Sequence, residues 1–356
     1  MLDKFAVGVR SRRVPGQRPL RLRSGIGAAA RAILNRMSHL RIAVAGAFLA
    51  LRAGPAQTAA APPQGQSGWI ETVTVIAHPA APALWHAREG NGDVAILAIV
   101  QPLPDDLKWN TTPLDGLLVG ARVLLLPPQL EVGLFQRLWF FLTERELLHP
   151  PEGKTLWDIL DPQIAARFAS VCDLLREPKD RYADNSPVIA GLRVGSDFRH
   201  IDYLTTHEPE DTIRALARAH GVQARRVASY DVLSGGEEVL NLAPAATGRC
   251  LDAAASDVVF QSRHAAPAAE AWAAGDVAGM EANWSQPQFY DCLIALSSHA
   301  TRLNSRAVDD TVAAIAEALD GGGHSVAVVD IGILLRKNGV LEKLAAKGIS
   351  IAGPAG

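Results

Sequence analysis

The chain has 356 residues, room for two average domains or one large α/β domain, and at 48% hydrophobic and 20% charged residues it has the material for a sizeable core. Its net charge is −2, and no basic stripe runs beyond the N-terminus, which argues against a nucleic-acid partner. An acidic tail and a wholly disordered chain are excluded on the same balance.

Residues 1–36 are rich in Arg and Gly and lack apolar periodicity. Two readings stay open for them: a disordered basic leader, or translated sequence upstream of the true start. The second is preferred, because Met37 opens a three-part secretory signal. Ser38-His39-Leu40-Arg41 is its basic head, Ile42 to Leu51 its apolar run, and the Ala/Pro/Gln-rich stretch from Ala53 to Gly68 its small-residue end and linker. Arg52 cuts the apolar run too short for a membrane span, and a short buried helix is the competing reading. We therefore expect signal peptide and linker over residues 37–68 and one α/β domain over 69–356. The mature protein is expected to be exported to the periplasm or the medium, without a transmembrane span.

From Pro82 to Pro128 the pattern is strand, helix, strand. The Gly90-Asn91-Gly92-Asp93 turn leads into the apolar run Val94 to Val100, which Pro102 and Pro104 end; Leu114, Leu117 and Leu118 fall at helical spacing; and Val123 to Leu126 is closed by Pro127-Pro128. Runs apolar on both faces suit central strands covered by helices. Leu130 to Phe141 then places Phe135, Leu138, Trp139 and Leu142 on one helical stripe, read as core or as a cap over a cleft. Thr155 and Asp161-Pro162 are helix-start signals, and the helix from Pro162 to Arg176 should bury Ile164, Phe168, Val171 and Leu175. A helix is expected over Glu210 to Ala219, a turn at His220-Gly221 and a strand over Val222 to Tyr230. His200, His207 and His220 lack the i, i+4 spacing of a helical metal pair and are read as surface residues.

In the second half an Ala-rich helix is expected to start at Pro267 and to end at Gly275-Asp276. Helices over Phe289 to Leu296 and Arg306 to Leu319 follow, the latter burying Val308, Val312, Ile315 and Leu319. Gly321-Gly322-Gly323 precedes a strand and no Gly-Lys-Ser/Thr follows it, so it is a turn and not a phosphate loop. The closing unit reads as strand Ser325 to Val329, a loop, a helix from Gly339-Val340-Leu341 to Ala346, and a strand Ile349 to Ala352. The three cysteines form no C-x-x-C. Export would allow one disulfide, with Cys250 and Cys292 as the expected pair because both lie in the helical second half; three buried thiols acting as small hydrophobes is the other reading.

Several of these residues resemble the TraB/GumN family, which includes the Tiki proteases. They are Trp85, Leu103-Pro104, Ala271-Trp272-Ala273-Ala274-Gly275-Asp276, Gly332 and Gly339-Val340-Leu341. The resemblance runs from about Pro82 to Ala352. It implies a mixed sheet from two β-α-β halves flanked by helices, with a helical insert between the halves. It also implies metal-dependent hydrolysis or proteolysis, using two histidines and a glutamate with a supporting Arg-Asn pair. At those positions this chain has Gln101 and Ile333 for the histidines, Pro127 for the glutamate, and Asn304-Ser305 for the pair. Proline and isoleucine offer no side-chain lone pair and glutamine only a weak oxygen donor, so no first-row metal site is expected there. Asp105 and Asp330 are the candidate polar residues of the cleft. No Gly-x-Ser-x-Gly elbow is present. The expectation is a catalytically degenerate, exported protein without a cofactor, binding a small molecule or peptide through a remodelled cleft; a hydrolase or peptidase working without the family's metal ligands is the alternative.

Overall fold

The computed structural model describes residues 80–131, 133, 143–231 and 238–354. The leader, the signal and linker segment and the aromatic stretch over 134–142 lie outside the described residues.

The apolar runs become the middle of a mixed sheet. Strand β1 (Leu84–Glu89) turns through Gly90-Asn91 into β2 (Gly92–Ile99), and the two pair antiparallel. Residues Val94 to Val100 are all buried, the signature of a strand covered on both faces. After the short β3 (Leu103–Pro104), helix α1 (Thr112–Leu118) leads to β4 (Leu124–Leu126). Between β2 and β4 lies β9 (Gly323–Asp330), parallel to both, with Ile96 opposite Ala327 and Leu125 opposite the same Ala327. The outer places belong to β7 (Ala224–Arg226), parallel to β4, and to β10 (Ser350–Ala352), antiparallel to β1. The order is therefore β10-β1-β2-β9-β4-β7. Four parallel strands send their carboxyl ends to one edge, the place where open α/β sheets gather ligands.

The expected strand from Val222 to Tyr230 is divided into β7 and β8 (Ser229–Asp231). The cause lies opposite: Pro127-Pro128 supply no N–H to the ladder, so the pairing breaks and resumes between β5 (Gln129–Glu131) and β8, with Leu130 opposite Tyr230. A third short pair joins β3 to β6 (Leu204–Thr205).

Helices build a second core beside the sheet. These are α2 (Leu156–Ile159), α3 (Pro162–Leu175), α4 (Asp180–Ala183) and α5 (Pro187–Ile201), followed after β6 by α6 (Glu210–Ala219) on the sheet side. Asp161 caps α3 through Gln163 N at 2.8 Å, and Thr155 donates its backbone N–H and its hydroxyl to Asp158 at the start of α2. Cys172 lies in this core beside Phe168 and Leu175, and burial pushes its thiol up to about 11. A nearly buried Asp197 accepts two bonds from Arg181, at 2.6 and 2.7 Å, and one from Tyr182 at 2.9 Å, which ties α4 to α5.

The helix expected to begin at Pro267 is the last quarter of α7 (Pro244–Ala274), a helix of 31 residues that contains the proline. Pro267 looks like a first-turn residue, but interior proline is tolerated here because both ends of α7 are anchored: Cys250, Leu251, Ala254 and Val258 in the helical core, Ala268, Ala269 and Trp272 in the sheet core. Cys250 forms a disulfide with Cys292 on α9 (Gln288–Leu296), which follows α8 (Val277–Asn283). Helix α10 begins at Ser298, ahead of the expected Arg306, because Ser297 caps it through Ala300 N; it ends at Asp320 and buries Val308, Val312, Ile315 and Leu319. The segment expected as a loop after β9 is a helical turn, α11 (Ile331–Leu334), started by the Asp330 carboxylate on Gly332 N at 2.8 Å. Helix α12 (Val340–Ala346) then leads to β10. Among the described residues no helix is long and apolar enough to cross a membrane.

Candidate functional site

The family-like residues are packing residues. Trp85, Leu103, Trp272 and Val340 are buried, and the Trp272 indole donates to the Ala98 carbonyl on β2 at 2.7 Å. Gly275 ends α7 with φ of 73°, and a Cβ there would meet the Ala81 carbonyl oxygen at 2.4 Å. Glycine is required by both the conformation and the close approach.

The register locates the three positions at which the resemblance implies metal ligands. Ile99 on β2 is level with Asp330 on β9, so Gln101 and Ile333 both lie just past the carboxyl ends of adjacent strands. Pro127 follows the end of β4, on the other flank of β9. All three are on the same sheet edge. Asn304 and Ser305 lie within α10, not ahead of it; Asn304 accepts from Arg336 through its side chain at 3.1 Å and its carbonyl at 3.3 Å.

What surrounds these residues does not fit a divalent metal. The Gln101 carboxamide is tethered, its Nε2 donating to the Thr206 carbonyl at 2.8 Å. Beside Pro127 stands a cation: Arg226 donates to the Pro127 carbonyl at 2.7 Å and to Glu210 at 2.6 Å, and Arg214 also pairs with Glu210. Two guanidiniums around one carboxylate leave net positive charge, which repels a metal ion. Among the described residues no group of three His, Cys, Asp or Glu could hold a metal. His200, His207 and His220 are exposed, and His220 pairs with Asp115 at 2.8 Å.

The two candidate aspartates differ in setting. Asp105 is exposed on the turn after β3. The carboxyl of Asp330 is packed in at the end of β9, and burial pushes its pKa up, opposed by bonds from Gly332 N and Ile333 N and by the Arg336 charge. An acid with a higher pKa folded than unfolded binds its proton more tightly in the native state, so stability falls as pH rises from the unfolded value through the folded one. Asp330→Asn should therefore raise the melting temperature at neutral pH, and the gain should vanish as pH falls toward about 4, the ordinary aspartate value. Melting curves across that range check this. A loss of stability at neutral pH would mean that the bonds to the ionised carboxylate outweigh its burial.

Beside Gln101 a cleft opens between the end of β2, α7 and the segment after α8. Its lining is Val100, Gln101, Pro102, Phe260, Gln261, Ala265, Ala268, Asn283, Trp284 and Ser285, with no charged side chain among them. Phe260 is stacked on His264, ring centroids 4.2 Å apart, and His264 hydrogen-bonds Asn283 at 3.1 Å. Trp284 also reaches the end of β9, where a Cβ on Gly332 would lie 3.0 Å from its ring and 2.5 Å from Gln286 Oε1. Sequence reasoning placed Gln101 here and missed the opposite wall. A tryptophan amid Asn283, Ser285, Gln286 and Pro287, between two helices, is the signal that could have found it.

The TraB/PrgY/gumN family model matches residues 83–352, a span that takes in every strand of the main sheet. The chain matches no curated protein and no solved structure.

Proposed function

Starting from the TraB/PrgY/gumN family, to which the chain belongs, we propose that this member is an exported binding protein that has lost metal-dependent hydrolysis and holds its ligand in the cleft beside Gln101. The observation that supports this best is the character of the carboxyl edge. Uncharged side chains line the cleft, and at Pro127 the Glu210 carboxylate is taken up by Arg226 and Arg214. Metal-assisted hydrolysis needs lone-pair donors converging on one ion, and the two carboxylates of this edge are already engaged, Asp330 by Gly332 N and Glu210 by Arg226 and Arg214. Calorimetric titration of the metal-free protein with Mn2+, Co2+ and Zn2+ is expected to give no stoichiometric site. One ion bound per chain, with affinity lost in Asp330→Asn, would overturn the reading.

Export from the signal at Met37 belongs to the same proposal and is supported by the Cys250–Cys292 disulfide, since such bonds persist in oxidising compartments. The secreted protein should begin between Ala56 and Gly68. Its intact mass checks this, and an uncleaved leader on cytoplasmic protein would refute export.

A further inference from the structure

Just ahead of the family domain the sequence carries a run of a different kind. From Ile70 to Ile76 it reads Ile-Glu-Thr-Val-Thr-Val-Ile, β-branched at every position but Glu71 and without Gly or Pro. In an extended chain Ile70, Thr72, Thr74 and Ile76 fall on one face, and Glu71, Val73 and Val75 on the other. Such a run favours pairing as a strand, whereas chain that only tethers is poor in β-branched residues. Pro62-Pro63-Gln64-Gly65-Gln66-Ser67-Gly68 before it and His78-Pro79 after it set it off as a separate unit. The family match begins at residue 83, so the run lies outside the family domain.

Among the described residues the main sheet offers no edge that matches it. The strand it leads to, β1, is paired on both sides, with β10 and with β2. The outer strand β10 has three residues and is followed by Gly353-Pro354, while β7, the other outer strand, lies across the sheet from β1. Ahead of β1 the Ala81 carbonyl is packed against the end of α7, where a Cβ on Gly275 would meet it at 2.4 Å. Leu84 is level with Leu97 and β2 ends at Ile99, so the chain enters the sheet at the edge that carries Gln101. We infer that residues 70–76 are a recognition peptide, taken up as an added strand by another exported protein that has an open sheet edge; the inference rests on export, the second part of the proposal above. In that mode main-chain hydrogen bonds give the affinity and alternate side chains the specificity. Stiff β-branched side chains suit the peptide to an extended form. Residues 77–83 then tether the partner to the entry edge of the sheet.

The test is photo-crosslinking of the full chain in its native host cells, with p-benzoylphenylalanine in place of Trp69, next to the run and outside its ladder. One adduct is expected, between the mature protein and a second exported protein. Single prolines at Thr72, Val73, Thr74 and Val75 then read the mode of contact. A strand added to an edge turns alternate N–H groups to its partner and the others to solvent, where proline is tolerated. The adduct should fall about tenfold, the cost of a lost ladder bond, in one pair of variants, either Thr72→Pro with Thr74→Pro or Val73→Pro with Val75→Pro. It should persist in the other pair, and all four variants should melt at the parent temperature. No adduct from exported protein, equal loss in all four variants, or an adduct with a second copy of this chain overturns the inference. So does a melting temperature lowered by the prolines, which would put the run in the domain's own sheet. Cytoplasmic protein that keeps its leader removes the export reading, and the inference falls with it.

Discussion

Replacing Cys250 and Cys292 together by alanine is expected to lower the unfolding free energy by about 4 kcal/mol, the largest effect of any change to the helical half of the protein. The bond joins residues 42 apart in sequence, and closing a loop of that length removes roughly this much chain entropy from the unfolded state. It also fastens α9 to the end of α7 that lies in the helical core, where Cys250, Leu251 and Phe289 are buried together. Alanine is the appropriate replacement, because serine would put an unpartnered hydroxyl in that core. For a domain of this size the loss corresponds to roughly 10 °C in melting temperature, read by thermal denaturation with and without reductant. Equal melting temperatures in the two conditions would show that the bond does not form in solution.

Trp272→Ala should have an effect of similar size on the other core. The indole is 1% exposed, lies edge-on to Trp109 with centroids 5.2 Å apart, and donates to the Ala98 carbonyl. Removing so large a buried ring costs about 3–5 kcal/mol. Trp272→Phe keeps most of the packing and forfeits the hydrogen bond, for about 1–2 kcal/mol, including the unpaired carbonyl left behind. Ala98 lies just before Val100 and Gln101 on β2, so both variants should also loosen the cleft wall. Chemical denaturation gives the stability, and ligand affinity in the Phe variant separates the two consequences. A Phe variant as stable as the parent would mean that the indole bond contributes nothing.

The sheet was legible where hydrophobic period and turn chemistry agree. Val94 to Val100 and the stripe Val308, Val312, Ile315 and Leu319 read correctly because burial on a strand or one helix face leaves an unambiguous pattern. Pro267 misled, because proline at a first helical turn and proline inside an anchored helix look alike locally, and only the two cores holding α7 distinguish them. The divided strand at Val227-Ala228 depends on Pro127-Pro128 of a neighbour a hundred residues away, information that no local window holds. The placement of Gln101, Pro127 and Ile333 on one edge came from the family resemblance, together with the rule that ligands gather at the carboxyl ends of strands. The far wall of the cleft did not, since Phe260, Gln261 and Trp284 meet Gln101 only through the tertiary packing of α7 and the segment after α8. The guanidinium at Pro127 was equally out of view: Arg226 ends β7, a strand whose partner could not be known from the sequence.

The central claim is that this edge binds without metal-assisted cleavage, and the most direct test is turnover. The purified, disulfide-bonded protein would be incubated with a diverse peptide library, with and without Mn2+, Co2+ and Zn2+, and the products read by mass spectrometry. The account predicts the same peptides before and after, in every condition. Cleavage that rises with added metal and disappears in Asp330→Asn would contradict it.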